Sequence, residues 1–268
     1  MNYQVREISK GEAMQMILDY HYSNSLPKIN KHFVGFFKDD SLVGVITLGY
    51  GVRPLHTIKR IFPSLTTSDY YEIGRMCMTE SMPKNSESMM LSDLCKWLKQ
   101  NEPQIKVLFT WADGMLGKCG YVYQASNFIY AGYSVGEIYL RDGVKIHVRQ
   151  TGGLFKSNEN DNRKTVRPTN EQMKKYHIEH YKGKQYRYLK FLCSKVEKKK
   201  LINECLISLT DPNPKEKDLS WTKYDLDSCK WIESGKPNYK TDFSKESKSD
   251  TIQLKETDIK QMSIFDYL

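Results

Sequence analysis

Residues 1–150 predict an α/β fold, a mixed central sheet flanked by helices. Three observations carry that reading. Segments with helical spacing alternate with strand-like runs; two β-rich runs in "HFVGFFKDDSLVGVITLGY" meet at Asp39, Asp40 and Ser41, the punctuation of a hairpin; and "IKVLFTWAD" is apolar enough to be a buried strand with a polar end.

The elements follow in order. Ser9 and Glu12 in "SKGE" have capping-box spacing, so a first helix is expected over about 10–20, running into the polar loop "HYSNSLPK". After the hairpin, a strand covers about 71–79. "NSESMMLSDLCKWLKQ" offers Asn85 or Ser86 as N-cap and Glu87 near the positive end of the helix dipole. With Met89, Met90, Leu94, Trp97 and Leu98 at helical spacing, it predicts a helix over about 86–100. The strand "IKVLFTWAD" comes next, then a second helix over 118–130, then a hairpin around Asp142 and Gly143 in "GEIYLRDGVKIHVRQ". On such a helix Tyr123, Asn127 and Tyr130 share one face, presenting polar tips, and Tyr121, Ala125 and Phe128 share a packing face. Residues 1–150 therefore read as one mixed α/β domain, the candidate catalytic domain once its site residues are considered, and 151–210 as a basic extension. That extension holds a mobile loop, "GGLFKSNENDNRKTVRPTN", and a strand in "KQYRYLKFLCSK". Residues 211–268, rich in Pro, Ser, Lys and Asp, read as a flexible polar tail.

Composition excludes several classes. With 39% hydrophobic and 12% aromatic residues among 268, the chain is expected to build a core and is not disordered overall. No run approaches the roughly 18 apolar residues of a membrane span, and "MNYQVREISK" lacks a signal-peptide pattern. A cytoplasmic protein with no membrane partner is expected. The six cysteines lie far apart with no CxxC pair, so they suggest neither a zinc ribbon nor a redox motif. The net charge of +9 is concentrated: residues 141–200 hold 17 Lys or Arg against 6 Asp or Glu. Such a field suits a polyanion, nucleic acid first, or else a solvated basic surface. Arg141, Lys145, Arg149, Arg163, Lys164 and Arg167, together with Asn127, are the candidate DNA contacts.

The junction of strand and helix at 71–100 is where backbone N–H groups and a helix dipole meet a phosphate. In GNAT acyltransferases it grips the pyrophosphate of acetyl-CoA. Their Arg/Gln-x-x-Gly-x-Gly/Ala signature is absent here, and "MPKNSES" stands in its place. Lys84, Asn85, Ser86 and Ser88 are the candidate cofactor ligands, an ordinary capped helix being the other reading. Asp113, at the polar end of its strand, suits a general base, a metal ligand, or a cap for the turn that follows. Arg75 interrupts the apolar run "EIGRMCM" and needs an anionic partner, whether Glu72, an Asp or a bound substrate. His21 and Tyr22 follow the first helix directly.

The segments "HYS", "EIGRMCM", "PKNSES", "TWAD" and "GYVYQASNF" resemble the Mom family of bacteriophage DNA-modification proteins, which add a carbamoylmethyl group to adenine N6. The resemblance covers about 15–150. It implies a GNAT-like fold altered for double-stranded DNA, acetyl-CoA as cofactor, iron dependence and an anti-restriction role in the host bacterial cell. By position, His21 and Tyr22 match the family's His-Tyr, Arg75 its strand arginine, Asp113 the aspartate of its Phe-Ala-Asp segment, with Trp111 in place of the phenylalanine, and Tyr123 the tyrosine before Gln-Ala-Ser-Asn. These five are the candidate catalytic residues, and Ser86 and Ser88 fall in the family's Asn-Ser-Glu-Ser loop. His21, Asp113 and Tyr123 are then the candidate metal ligands. No His-x-His or His-x-Asp spacing marks an iron site, so iron rests on the resemblance alone.

The chain ends "QMSIFDYL". Gln261, Ile264 and Phe265 resemble the short peptide that plugs bacterial polymerases into the DNA sliding clamp, the alternative being a tail that folds back on the core. The leading expectation is a DNA adenine-modifying transferase. A conventional acyltransferase and a non-catalytic DNA-binding protein are the competing readings.

Overall fold

The computed structural model describes residues 3–23, 26–146 and 167–239. The expected mixed sheet flanked by helices is present. The chain runs β1 (Gln4–Glu7), α1 (Lys10–Tyr20), β2 (Asn30–Lys38), β3 (Ser41–Gly49), α2 (Pro54–Lys59), β4 (Tyr70–Met78), α3 (Ser86–Asn101), β5 (Val107–Asp113), α4 (Tyr121–Ala125), β6 (Ile129–Arg141), β7 (Val144–Ile146), α5 (Asn170–Lys175), β8 (Ile178–Phe191), α6 (Lys195–Glu204), β9 (Trp221–Asp225) and β10 (Lys230–Ser234). The strands order as β1-β2-β3-β4-β5-β8-β6-β7, with β9 on β8 and β10 on β9.

Local signals explain much of this. Ser9 and Glu12 form the reciprocal capping box that starts α1. Asp39 and Asp40 take φ of 49° and 60°, the left-handed pair a two-residue hairpin turn needs. Alternate strand residues face opposite layers: Ile46, Leu48 and Leu108 pack with Met90, Leu91, Leu94 and Leu98 of α3. Val45 packs with Ala13 and Ile17 of α1, and Val107 and Phe109 with Ile58 of α2 and Leu201 of α6, on the other face.

One irregularity positions the site. The parallel pairing of β4 and β5 lasts only from Tyr70↔Val107 to Glu72↔Phe109. Beyond it, β4 stays with β3, and β5 stays with β8 as far as Asp113↔Gln185. The β3–β4 register slips between Thr47 and Leu48, opposite Arg75 and Ile73, which leaves Gly74 as the extra residue of a bulge. A bulge bends its strand, and here the bend accompanies the opening of the sheet between β4 and β5. A Cβ at Gly74 would stand 2.6 Å from Pro27 Cγ, so only glycine fits undisturbed.

Three expectations need correction. The helix expected over 118–130 is the single turn of α4, because Gly120 enters it at φ 90° and Asn127 ends it at φ 57°. Asn127 N–H donates to the Gln124 carbonyl at 3.1 Å and Phe128 N–H to the Tyr123 carbonyl at 3.0 Å, the double closure of a Schellman cap. Tyr130 is therefore on β6, and the shared face of Tyr123, Asn127 and Tyr130 does not exist. The strand expected in "KQYRYLKFLCSK" is longer and central, since β8 lies between β5 and β6. Part of the expected tail is ordered. β9 and β10 form a hairpin whose Tyr224 and Trp231 rings meet at 5.3 Å, with Trp231 against His180 at 4.7 Å, so a few aromatics anchor a polar stretch. The loop expected in the basic extension falls largely on 147–166, and the clamp-like peptide on 261–268, both outside the described residues.

Candidate functional site

The opening between β4 and β5 is a cavity of about 330 Å³, within the range of small-molecule sites. Ile73, Gly74, Arg75 and Met76 come from one strand and Trp111, Ala112 and Asp113 from the other. His21 and Tyr22 reach it from the end of α1, where the His21 N–H closes the helix on the Ile17 carbonyl at 3.0 Å. Tyr123 enters from α4. The five residues His21, Tyr22, Arg75, Asp113 and Tyr123 thus line one cavity.

The cavity wall sets their charge states. His21 is buried, and burial followed by the Arg75 guanidinium lowers its imidazole to about 4, so it is neutral at pH 7. Its Nδ1 lies 3.0 Å from both the amide N and the carbonyl O of Ser23, which leaves Nε2 for a ligand. Its ring stacks on Tyr22 at 4.3 Å. Burial, then Asp113, then Tyr123 raise the Tyr22 phenol well above its ordinary value, so Tyr22 stays a neutral phenol with a proton to donate in a hydrogen bond. Burial lowers the Arg75 guanidinium, opposed by Tyr22, Glu72 and Asp113; it donates to Gly74 O at 2.7 Å and Ser23 Oγ at 3.2 Å. Burial raises Glu72 to about 7, with Arg75 pulling the other way. The Asp113 carboxylate accepts from Met115 N–H at 3.0 Å, capping a one-turn 3-10 helix over Gly114–Leu116. The turn-capping reading of Asp113 is therefore realised, and its half-buried side chain still borders the cavity.

Tyr123 differs from the expectation. Its ring packs between Phe128 and Tyr188, each at 5.5 Å, burial raises its phenol, and a hydrogen bond with Thr110 opposes that rise. The residues expected to pack, Tyr121 and Ala125, are the exposed ones, and only Phe128 is buried. The other candidates lie elsewhere. Lys84 and Asn85 are exposed ahead of α3, Ser86 is buried and Ser88 half-buried. Asn85 is the N-cap residue of α3, as expected, but at φ 71° its side chain makes no capping hydrogen bond. Asn127 is exposed at its turn; Arg141 faces Asp142 at 3.9 Å; Lys145 sits 5.5 Å over the Tyr239 ring; and Arg167 pairs with Glu137 at 3.2 Å. Arg149, Arg163 and Lys164 lie outside the described residues. Lys118 and Glu216 also line the cavity, and the sequence offered no signal for them beyond their charge.

The candidate metal ligands His21, Asp113 and Tyr123 all line the cavity. Among the described residues no three His, Cys, Asp or Glu side chains converge. The three candidates are tied to Ser23, Met115 and Thr110 respectively. An imidazole, a carboxylate and a phenol are donor types that iron takes, and here each is engaged within the chain.

A sheet opened at one strand junction onto a cavity lined by a carboxylate, a guanidinium, an imidazole and phenols makes this a protein of the mixed α/β class. The chain belongs to the Mom protein family, which matches its residues 2–207. It is 30% identical over 195 residues to the methylcarbamoylase Mom of Escherichia phage Mu, covering 73% of this chain and 78% of that protein. Among solved structures it is similar to an N-acetyltransferase from Staphylococcus aureus Mu50, at TM-score 0.38 and 15% identity over 72% of this chain and 100% of that one. It is also similar to a GNAT-family acetyltransferase from Streptococcus pneumoniae, at TM-score 0.38 and 10% identity over 71% and 99%. No described helix is long and apolar enough to cross a membrane.

Proposed function

We propose that this protein is a transferase that modifies DNA, placing a carbamoylmethyl-type group on adenine N6. The observation that carries the reading is the placement of Asp113 and Arg75 on opposite strands of the opening, with His21 and Tyr22 on the same cavity. Membership of the Mom family, and the activity named for the phage Mu relative, support the transferred group.

Adenine N6 is a weak nucleophile, because its lone pair is delocalised into the ring. Asp113 is the base that accepts the proton N6 loses, and Arg75 holds an anionic part of the donor. Tyr22, kept protonated by burial and by Asp113, donates a hydrogen bond to oxygen that gains charge. His21, neutral at pH 7, orients a ligand through Nε2. Tyr123, buried against Thr110, shapes the wall instead of exchanging protons. The adenine reaches this cavity by leaving the base stack.

An acyl-CoA fits as donor: Lys84 and the first turn of α3, with Ser86 and Ser88, would hold its pyrophosphate, and the opening between β4 and β5 would take its arm. When bound it would supply a two-carbon acyl unit, and joining that unit to N6 through its methyl carbon and adding the amide nitrogen would require a further nitrogen-donating co-reactant. Residues 151–210, Arg167 among them, act as the DNA-binding extension, with Arg141 and Lys145 beside it, and Gln261, Ile264 and Phe265 dock on a sliding clamp. The modified DNA escapes restriction in the host cell.

The test is to digest DNA from cells expressing the chain and to seek an altered deoxyadenosine by mass spectrometry. Wild type is expected to yield it and Asp113→Ala to lose at least about 100-fold. Unmodified DNA beside acyl transfer to another acceptor would replace this reading with a conventional acyltransferase. Deleting 261–268 is expected to abolish clamp capture in a pull-down, and retained capture removes the clamp proposal.

A further inference from the structure

The match to the family ends at residue 207, yet the chain beyond it returns to the cavity. Gln124 Nε2 donates to the Pro214 carbonyl at 3.0 Å, Glu216 lines the cavity, and the Tyr186 hydroxyl donates to the Asp218 carbonyl at 2.9 Å. β9 then begins at Trp221, opposite Gly183 of β8. The indole Nε1–H donates to the carbonyls of Gly114 and Met115, at 3.1 and 3.3 Å. These two peptides belong to the turn that Asp113 opens, and Met115 N–H is the donor that the Asp113 carboxylate accepts.

The contact is built from both sides. A Cβ at Gly183 would stand 3.2 Å from Trp221 Cδ1 and 3.1 Å from Met115 Cε, so the glycine makes room for the indole. At Gly114 a Cβ would stand 2.3 Å from the Lys184 carbonyl, which presses the turn onto β8. Gly114 and Gly117 flank the turn, and glycines give a chain many alternative conformations. An external clamp is what selects one of them.

We propose that Trp221 is a positioning residue for Asp113: its indole fixes the 114–117 turn, and through the Met115 amide it fixes the direction in which the carboxylate meets the substrate. The segment beyond the family match is thereby part of the working site. This rests on Asp113 acting as the base of the proposed function.

The test uses the full chain carrying Trp221→Phe, which keeps a ring and removes the donor, with Trp231→Phe, outside the cavity lining, as control. Amide hydrogen exchange over 114–118 is expected to rise about fivefold to tenfold in Trp221→Phe and to stay unchanged in the control. The kcat for DNA modification is expected to fall about tenfold to a hundredfold, with KM for DNA unchanged. Gly183→Ala, which displaces the indole without removing it, is expected to shift both readouts in the same direction. Unchanged exchange overturns the proposal, and so does faster exchange with unchanged kcat. A wild-type chain that leaves DNA unmodified overturns the proposed function and the catalytic half of this inference, while the exchange comparison still decides the bracing half.

Discussion

His21 in the cavity and the half-buried Glu72 beside Arg75 pull stability in opposite directions with pH. His21 is lowered to about 4 by burial and Arg75, so between that value and the ordinary imidazole value the unfolded chain binds the extra proton. Its contribution is full above about pH 6.5 and is lost as pH falls toward 4, up to roughly 3 kcal/mol. His180, lowered to about 4 mainly by burial, acts in the same window. Thermal melts from pH 7 to 4 are expected to show a smaller decline in His21→Asn than in wild type; an identical decline would remove this account. Glu72 is the reverse case, raised to about 7 by burial. Its contribution is present below the ordinary carboxylate value and lost as pH rises through 7, so Glu72→Gln is expected to stabilise the protein at pH 8 by roughly 1–3 kcal/mol and to have no effect at pH 4. A constant difference across that range would refute the assignment. Arg75 and Asp113 stood out in the sequence because each is a charge in or at the end of an apolar run. Glu72 was visible only as a partner for Arg75, since its burial depends on packing from distant segments.

The two backbone devices that shape the cavity are the Gly74 bulge and the Asn127 cap. Gly74→Ala is expected to cost about 1–3 kcal/mol, because its Cβ would meet Pro27 Cγ at 2.6 Å and Thr47 Oγ1 at 3.1 Å. A melt within about 1 °C of wild type would show that β4 absorbs the residue freely. At Asn127, φ 57° makes alanine unfavourable and glycine welcome, so Asn127→Ala is expected to lose about 1 kcal/mol and Asn127→Gly to lose none. Equal losses would argue that the amide side chain, not the backbone, matters. Elements with local punctuation were legible: the Ser9 and Glu12 capping box, the Asp39-Asp40 turn and the apolar stripe of α3 each carry their signal within a few residues. The end of α4 was not, because "YQASNF" continues a helical spacing and only the left-handed Asn127 breaks it. The bulge at Gly74 was hidden too, since it is a mismatch between two strands and belongs to neither alone.

Across the whole molecule, the concentration of positive charge in residues 141–200 predicts the form of DNA binding. Affinity is expected to fall log-linearly with salt, and Arg141→Ala with Lys145→Ala to flatten the slope by about 0.9 for each phosphate no longer neutralised. A slope independent of both residues would move the DNA-binding face elsewhere. The aromatic anchors of β9 and β10 escaped the sequence because Trp221, Tyr224 and Trp231 are isolated among polar residues, and their partners lie on β8. That strand has one more consequence. β8 bridges β5 and β6 along the sheet, yet it follows β5 in the chain by more than sixty residues, with the first part of the basic segment in between. On the ribosome, a chain released up to the end of β6 carries an unpaired apolar strand edge while it waits. Folding of this protein is therefore expected to complete late in synthesis, and the exposed edge of β5 is where a nascent chain would recruit a chaperone or aggregate.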